Sequence, residues 1–385
     1  MKTRKIISIL AATAMASAVF ADPSLTAEKK NEISTGLNDF AKVLVFAVPE
    51  ASTQQNVWGD AYIGNLYPSI FPHFGVGFSI GGTYLDTRGL KKASGALFGD
   101  KTMLSATDLG SSGNQYVDSI AEKINLEIPE SFVLPTATVD VRIGGVVLPF
   151  DIGICAMMTN PSLFTVDIKD PSSVLNVSKA MQFDLFGFKG SIDYLTIGAD
   201  LRYRFFEGSS FVPIISVGGG YYYTKGSFKL GATDTREVTV GSRTGNQTTN
   251  AEMATAFESH VGFAQIQISK EIGFVNLFLG ARGTLSNTTV NWAWKYDTSN
   301  DNPSIDATAS DSQIGSVQVN SASESWNNGV WNMTEIQPQI FGGIGFNIWK
   351  VQLTLGACVD MRSMFDKPNY EEFIWSGFFS THFKF

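Results

Sequence analysis

Charged side chains of both signs recur on one parity of repeated apolar segments: Arg142, Arg202, Arg204, Arg282 and Arg362, together with Asp140, Asp151, Asp200 and Asp360. Arginine rings lining a passage favour anions. Arginines and aspartates sharing a narrow interior instead pair with one another, and the mixed signs favour that second chemistry. Other chemistry is sparse. The histidines are His73, His260 and His382, and no HExxH, GxSxG, CxxC or P-loop spacing occurs. We therefore expect no catalytic residues, no metal site and no cofactor. The glycine runs VGGGYYY (217–223) and FGGIGF (341–346) lie inside strand patterns, where glycine relieves crowding. Cys155 and Cys358 are too few for a disulfide framework and read as two unpaired small residues.

The charges are placed by an alternation of period two. In YLTIGADLRYRF, Leu195, Ile197, Ala199, Leu201, Tyr203 and Phe205 fall on one side, with Asp200, Arg202 and Arg204 on the other. Such a segment is a strand with one apolar and one charged face. The same rule holds for Val139, Val141 and Ile143 against Asp140 and Arg142, and for Leu353, Leu355 and Val359 against Gln352, Asp360 and Arg362. In a soluble sandwich the apolar face packs on a core; in a membrane barrel it meets lipid and the charged face meets the lumen.

Connection lengths decide between these. The alternating segments are about 71–85, 132–144, 146–158, 181–205, 211–230, 253–270, 273–296, 333–348, 350–363 and 372–385. Only a few residues separate the second from the third, the fourth from the fifth, the sixth from the seventh and the eighth from the ninth. The remaining connections, 86–131, 159–180, 231–252, 297–332 and the shorter 364–371, are polar and mostly long. Short and long connections thus alternate, which is the organisation of an outer-membrane barrel with short periplasmic turns and long extracellular loops. Placing the arginines on the lipid side would cost about 2–4 kcal/mol each at the bilayer midplane. The expected fold is all-β, a transmembrane antiparallel up-and-down β-barrel of about 10–14 strands with an N-terminal helix.

Composition agrees. Residues 1–21 carry Lys2, Arg4 and Lys5, an apolar run and small residues ending at Ala18 or Ala21, a secretory signal peptide. Its removal takes away three cations and no carboxylate, lowering the formal charge from −8 to −11, which argues against nucleic-acid binding. Charged residues make up only 17% of the chain, below the roughly one quarter usual for soluble domains. Residues 22–67 form an N-terminal segment in which Ile33, Leu37, Phe40 and Leu44 share a helical face over 26–48 until Pro49, a candidate lumen plug. Residues 68–385 form the barrel. A second, weaker helix is expected around Tyr116, Ile120 and Ile124. The tracts 233–250 and 298–328 read as flexible surface loops. Simple parity points Trp292 and Trp294 inward. Phe150, Phe205, Phe211 and Phe346 fall near the short-turn ends and Tyr221, Tyr223, Phe373 and Trp375 near the other rim, as interfacial aromatic belts require.

The chain ends FIWSGFFSTHFKF, with Phe373, Trp375, Phe379, Phe383 and Phe385 on one parity. This resembles the closing strand of bacterial outer-membrane β-barrel proteins, of spirochaete or Bacteroidetes style. The resemblance implies that Phe383 and Phe385 are read by the barrel-assembly machinery and that outer-membrane lipid surrounds the barrel. An N-terminal segment ahead of a barrel with large loops also resembles, more weakly, the long-chain fatty-acid transporter family, in which such a segment plugs the lumen and a hydrophobic ligand enters from outside. The expected function is a passive channel or transporter for small, hydrophobic solutes. The alternative is a surface-displayed, adhesin-like binding protein whose barrel only anchors its loops.

Overall fold

A computed structural model describes residues 25–54, 57–63, 73–98, 130–145, 149–164, 175, 182–185, 188–206, 208–209, 211–240, 242–305, 308–320, 336–365 and 373–385. The signal peptide and the helix expected near Tyr116 lie outside these residues. Among the described residues twelve strands follow one another: β1 (His73–Asp86), β2 (Ser131–Gly144), β3 (Phe150–Met158), β4 (Gln182–Leu185), β5 (Phe188–Phe206), β6 (Ile214–Val240), β7 (Arg243–Ile272), β8 (Val275–Asn300), β9 (Ala309–Asn320), β10 (Gln337–Ile348), β11 (Val351–Asp360) and β12 (Trp375–Lys384). Helix α1 (Ala27–Thr53) precedes them and α2 (Arg88–Phe98) lies between β1 and β2.

All pairings are antiparallel, and β8 pairs with β10 while β12 pairs with β1, so ten strands close into a ring. Strands β4 and β9 lie off that ring, on β5 and β8 respectively. Closure is completed by the last residue: Phe385 accepts from Phe74 N at 3.0 Å and donates back to Phe74 O at 2.7 Å. The short turns gather at this end. Gly145 and Gly273 there adopt positive φ, as does Trp349 at 55°, a left-handed conformation uncommon for a residue with a side chain.

The outer surface inverts the usual soluble arrangement. Phe78, Ile80, Ile152, Ile154, Leu279 and Leu355 are exposed and point outward, whereas Arg142, Asp151 and Gln352 have no exposure. An apolar exterior around a polar interior is stable only where hydrocarbon replaces water outside. Aromatic pairs mark both rims: Phe150 with Tyr203 and Phe274 with Phe346 at the short-turn end, Tyr84 with Trp375 at the other.

Several boundaries differ from the sequence expectation. Segment 181–205 is two strands, because β4 folds back on β5 with Leu185 opposite Phe188. The apolar parity switches from odd (Phe183, Leu185) to even (Phe186, Phe188) at this point, which is the signature of a two-residue hairpin. The tracts 233–250 and 298–328, read as flexible loops, instead contain paired strand: β6 and β7 run on to Val240↔Arg243, and β9 adds to β8 beyond the ring. Threonine is β-branched and favours strands even when polar. Thr233 donates to Asn250 at 2.9 Å, and Thr235 meets Thr248 at 3.3 Å across the pair.

Helix α1 passes Pro49, where it was expected to stop, and ends at Thr53. Proline removes one backbone bond. The helical ladder resumes beyond it, with the Gln54 backbone N–H donating to Glu50 O and Ser52 Oγ adding a bond to Val48 O at 2.7 Å. Trp292 and Trp294 do point inward, against α1.

The membrane-facing surface is directly testable. Ile154 is 55% exposed at the middle of β3. Ile154→Arg is expected to destabilise the barrel in lipid vesicles by about 2–4 kcal/mol, whereas Thr235→Arg on the β6 extension leaves it within about 0.5 kcal/mol; urea-induced unfolding followed by tryptophan fluorescence distinguishes them.

Candidate functional site

The lower lumen, toward the short-turn end, is held by a chain of buried ions. Strand register places Asp151 opposite Arg202 and Gly153 opposite both Arg142 and Asp200. Arg142 Nη1 donates to Asp151 Oδ1 at 2.6 Å, and its Nη2 reaches both oxygens of Asp200 at 2.8 and 2.9 Å. Arg202 grips Asp151 from the other side, Nε to Oδ1 at 2.8 Å and Nη2 to Oδ2 at 2.9 Å. Gly153 leaves the room: a Cβ there would stand 2.5 Å from Arg142 Nη2. Fork-shaped guanidinium pairing of this kind is among the stronger protein contacts. These charges satisfy one another and leave no open ring of arginines.

Residues 57–63, which sequence reasoning did not single out, are seated on that chain. The Trp58 ring stacks on His382 with centroids 3.9 Å apart, and its Nε1 donates to Asp140 Oδ2 at 2.9 Å. Gln267 Nε2 donates to Trp58 O at 2.7 Å, Arg202 Nη1 to Asp60 O at 3.0 Å, and Ile63 N to Asp151 Oδ2 at 3.2 Å. Asp60 pairs with Lys384 and accepts from Asn276 Nδ2 at 2.5 Å. Arg204 lies over the Tyr62 ring at 4.9 Å. The one visible sequence signal was Trp58–Gly59–Asp60, a large aromatic and an acid outside any alternating segment.

Helix α1 fills the lumen above this seal. Ile33, Leu37, Phe40 and Leu44 are buried in one apolar cluster with Met253, Phe257, Trp292 and Trp294 of the wall. Polar contacts fix both ends. Toward the long-loop end Lys30 pairs with Asp311 at 2.7 Å, and Ser34 donates to Gln313 at 2.7 Å while accepting from Trp294 Nε1 at 3.1 Å. Toward the short-turn end Ser52 meets Thr224 at 2.7 Å, Thr53 donates to Gln339 at 3.2 Å, and Arg282 donates to Thr53 O at 2.7 Å. Arg282 also bonds Gln265, and Arg362 pairs with Asp360 at 2.5 Å beneath the Phe46 ring. Helices α1 and α2 touch at Gly36 and Gly89, where a Cβ on Gly36 would meet Gly89 O at 2.5 Å.

Between α1, α2 and the wall lies a cavity of about 350 Å³. Phe40 and Leu44 of α1, Leu90 of α2, and Leu134, Phe228 and Phe257 of the wall line it, and its surface is apolar. Not every candidate converges here. Phe383 and Phe385 point outward at 48% and 56% exposure. His260 lies on the outer wall, bonded to Tyr221 at 2.5 Å. The two cysteines are unpaired and buried. Among the described residues no cluster of His, Cys, Asp and Glu is arranged to hold a metal ion.

No family model and no curated protein matches the chain. Solved structures do. The translocator domain of autotransporter NalP from Neisseria meningitidis aligns over 91% of this chain and 97% of its own at 8% identity, with a TM-score of 0.28. The CymD monoaromatic hydrocarbon channel covers 81% and 87% at 8% identity and TM-score 0.23, and a Pseudomonas aeruginosa FadL homologue 85% and 97% at 10% and 0.21. The chain resembles outer-membrane β-barrels. At TM-scores this low its fold is assigned from its own closed ring of strands.

Removing one member of the buried ion chain leaves the others unpaired. Asp151→Ala is expected to cost about 3–5 kcal/mol, while Asp297→Ala, a partly exposed acid of the β8 extension, costs under about 1 kcal/mol; denaturation midpoints in detergent report both.

Proposed function

We propose that the chain resides in the outer membrane, inserted by the barrel-assembly machinery, and admits a small hydrophobic molecule into a lumen closed by residues 27–63. The observation that carries this reading is the apolar cavity of about 350 Å³ between α1 and the wall. Its lining offers an uncharged solute burial without a polar partner, worth about 25 cal/mol per Å² of apolar surface removed from water. The size suits one or two rings or a short acyl chain. The CymD channel bears the name of monoaromatic hydrocarbons, a solute class in keeping with such a cavity. Capture occurs from the long-loop side, and passage requires displacement of the inserted segment. Thr87, Asp193 and Ser227 border the cavity, but the surface it exposes is apolar, and we assign the chain no catalytic role.

A second reading, surface display, is favoured by one feature: β6 to β9 continue beyond the ring as a four-stranded sheet whose outer face carries hydrogen-bonded Thr, Asn and Ser. The two readings diverge in a planar bilayer. A variant lacking residues 27–63 is expected to conduct at least about tenfold more than the full chain if the segment plugs a conduit; equal silence from both, with the folded barrel confirmed by circular dichroism, supports display instead.

Binding is tested separately with 1-aminonaphthalene, an uncharged two-ring fluorophore. The full chain is expected to bind it saturably, and Leu90→Asp to weaken binding by about tenfold or more, because a charge in an apolar pocket is costly. Equal affinity in the two proteins removes the cavity from consideration.

A further inference from the structure

Among the buried residues of α1 only Glu50 is ionisable. Its side chain has no exposure. One carboxyl oxygen accepts from Ser376 Oγ of β12 at 2.8 Å, and the other meets no nitrogen or oxygen donor, only the weakly donating Cys358 thiol beside the carboxyl. The charged and titratable groups facing it are Cys358 and Asp360 of β11 and Arg282 of β8. Arg282 is already engaged, with Gln265 and with Thr53 O. Ionised, the group is a buried carboxylate with half its acceptor capacity unused and a second acid nearby. Neutral, it carries no charge to desolvate.

We propose that Glu50 is a proton-dependent latch, its neutral form holding the lower end of α1 against β12 and its ionised form releasing that end from the wall. The proton passes to water, and the carboxylate gains solvation once α1 withdraws. This rests on α1 closing the lumen and goes beyond it by naming what loosens it.

The direction follows from linkage. Helix α1 lies in the lumen and is not a membrane-spanning strand. Burial lifts the docked Glu50 carboxyl to about 7, with Asp360 adding to the rise and Cys358, Ser376 and Arg282 opposing it. A released, hydrated carboxyl returns to its ordinary value of about 4.3. Docking is therefore fully stabilised below that ordinary value, weakens by up to about tenfold per pH unit as pH rises toward 7, and is flat above it.

Cys358 supplies the readout, since it lies beside Glu50 and is fully buried while α1 is docked. In a Cys155→Ser background, the rate of labelling by N-ethylmaleimide is measured from pH 5 to 8 and divided by the rate in the same background lacking residues 27–63, which removes the intrinsic pH dependence of the thiol. The ratio is expected to rise by at least about tenfold over this range in the full chain and to remain low and flat in Glu50→Gln, which keeps the acceptor for Ser376 without a charge. A flat ratio in the full chain, or the same rise in Glu50→Gln, overturns the latch. Failure of the bilayer experiment with Cys358 still switching would instead overturn the conduit and leave the latch standing, so the two failures are distinguishable.

Discussion

Every charge pointed into the narrow lumen has to find a partner there, because the barrel wall excludes water from one side and the inserted segment from the other. Arg142, Asp151, Arg202 and Asp200 meet this requirement as an alternating chain across β2, β3 and β5. Desolvating four such groups gains little net stability, yet any one of them left alone is expensive. The pairing therefore acts mainly on specificity. It sets which residues face inward, and a register slip of one residue would send the arginines into hydrocarbon and Ile152 and Ile154 into the lumen. Residues 57–63 then dock on a surface whose charges are already settled, through Trp58 to Asp140 and Ile63 N to Asp151.

That constraint explains what was legible in the sequence. Inward and outward residues differ in chemistry along every ring strand, so alternation located the ten ring strands, while ending β6 and starting β7 about ten residues short and running β4 into β5, and it separated Asp140, Arg142, Asp200, Arg202, Arg282 and Asp360 from the lipid face. Alternation carries no information on depth or on partners. The sequence therefore left open whether the arginines line a passage or pair, and the ion chain is set by which strands become neighbours. Nor does a polar extension look like a strand when both of its faces meet water or a polar helix. Thr233 to Asn250 lacked the apolar stripe that marks the rest of β6 and β7, and its pairing is read only from cross-strand threonine and asparagine contacts. The helix end was misread for a local reason. Pro49 is a strong stop signal in isolation, yet it removes a single backbone bond, and the contacts of Ser52 and Thr53 with the wall hold the turn that follows it. Residues 57–63 have no periodicity at all; they are placed by the wall.

The inserted segment is held in two different ways. Helix α1 rests on an apolar cluster, on neutral hydrogen bonds of Ser52 and Thr53 contributing about 0.5–1.5 kcal/mol each, and on one charged contact at either end, Lys30 with Asp311 and Arg282 with Thr53 O. Residues 57–63 are held by charge-assisted contacts, Asp60 to Lys384 and Trp58 to Asp140, roughly twice as strong apiece. The upper part borders the apolar cavity, and the lower part does not.

Two barriers consequently lie in series along the lumen. On the proposed reading, movement of α1 alone would exchange the contents of the cavity with the long-loop side, because Phe40 and Leu44 form one of its walls. Passage to the short-turn end requires in addition that Asp60 leave Lys384 and Asn276 and that Trp58 leave His382 and Asp140. A solute that only fills the cavity does not touch those contacts, so its binding energy acts on the first barrier and not on the second. Ionisation of Glu50 lies between the two, at the turn of helix that joins the apolar upper contacts to the charged seal. A change there loosens α1 without uncovering Arg142 or Arg202, which keeps the costly ion chain covered while the helix moves.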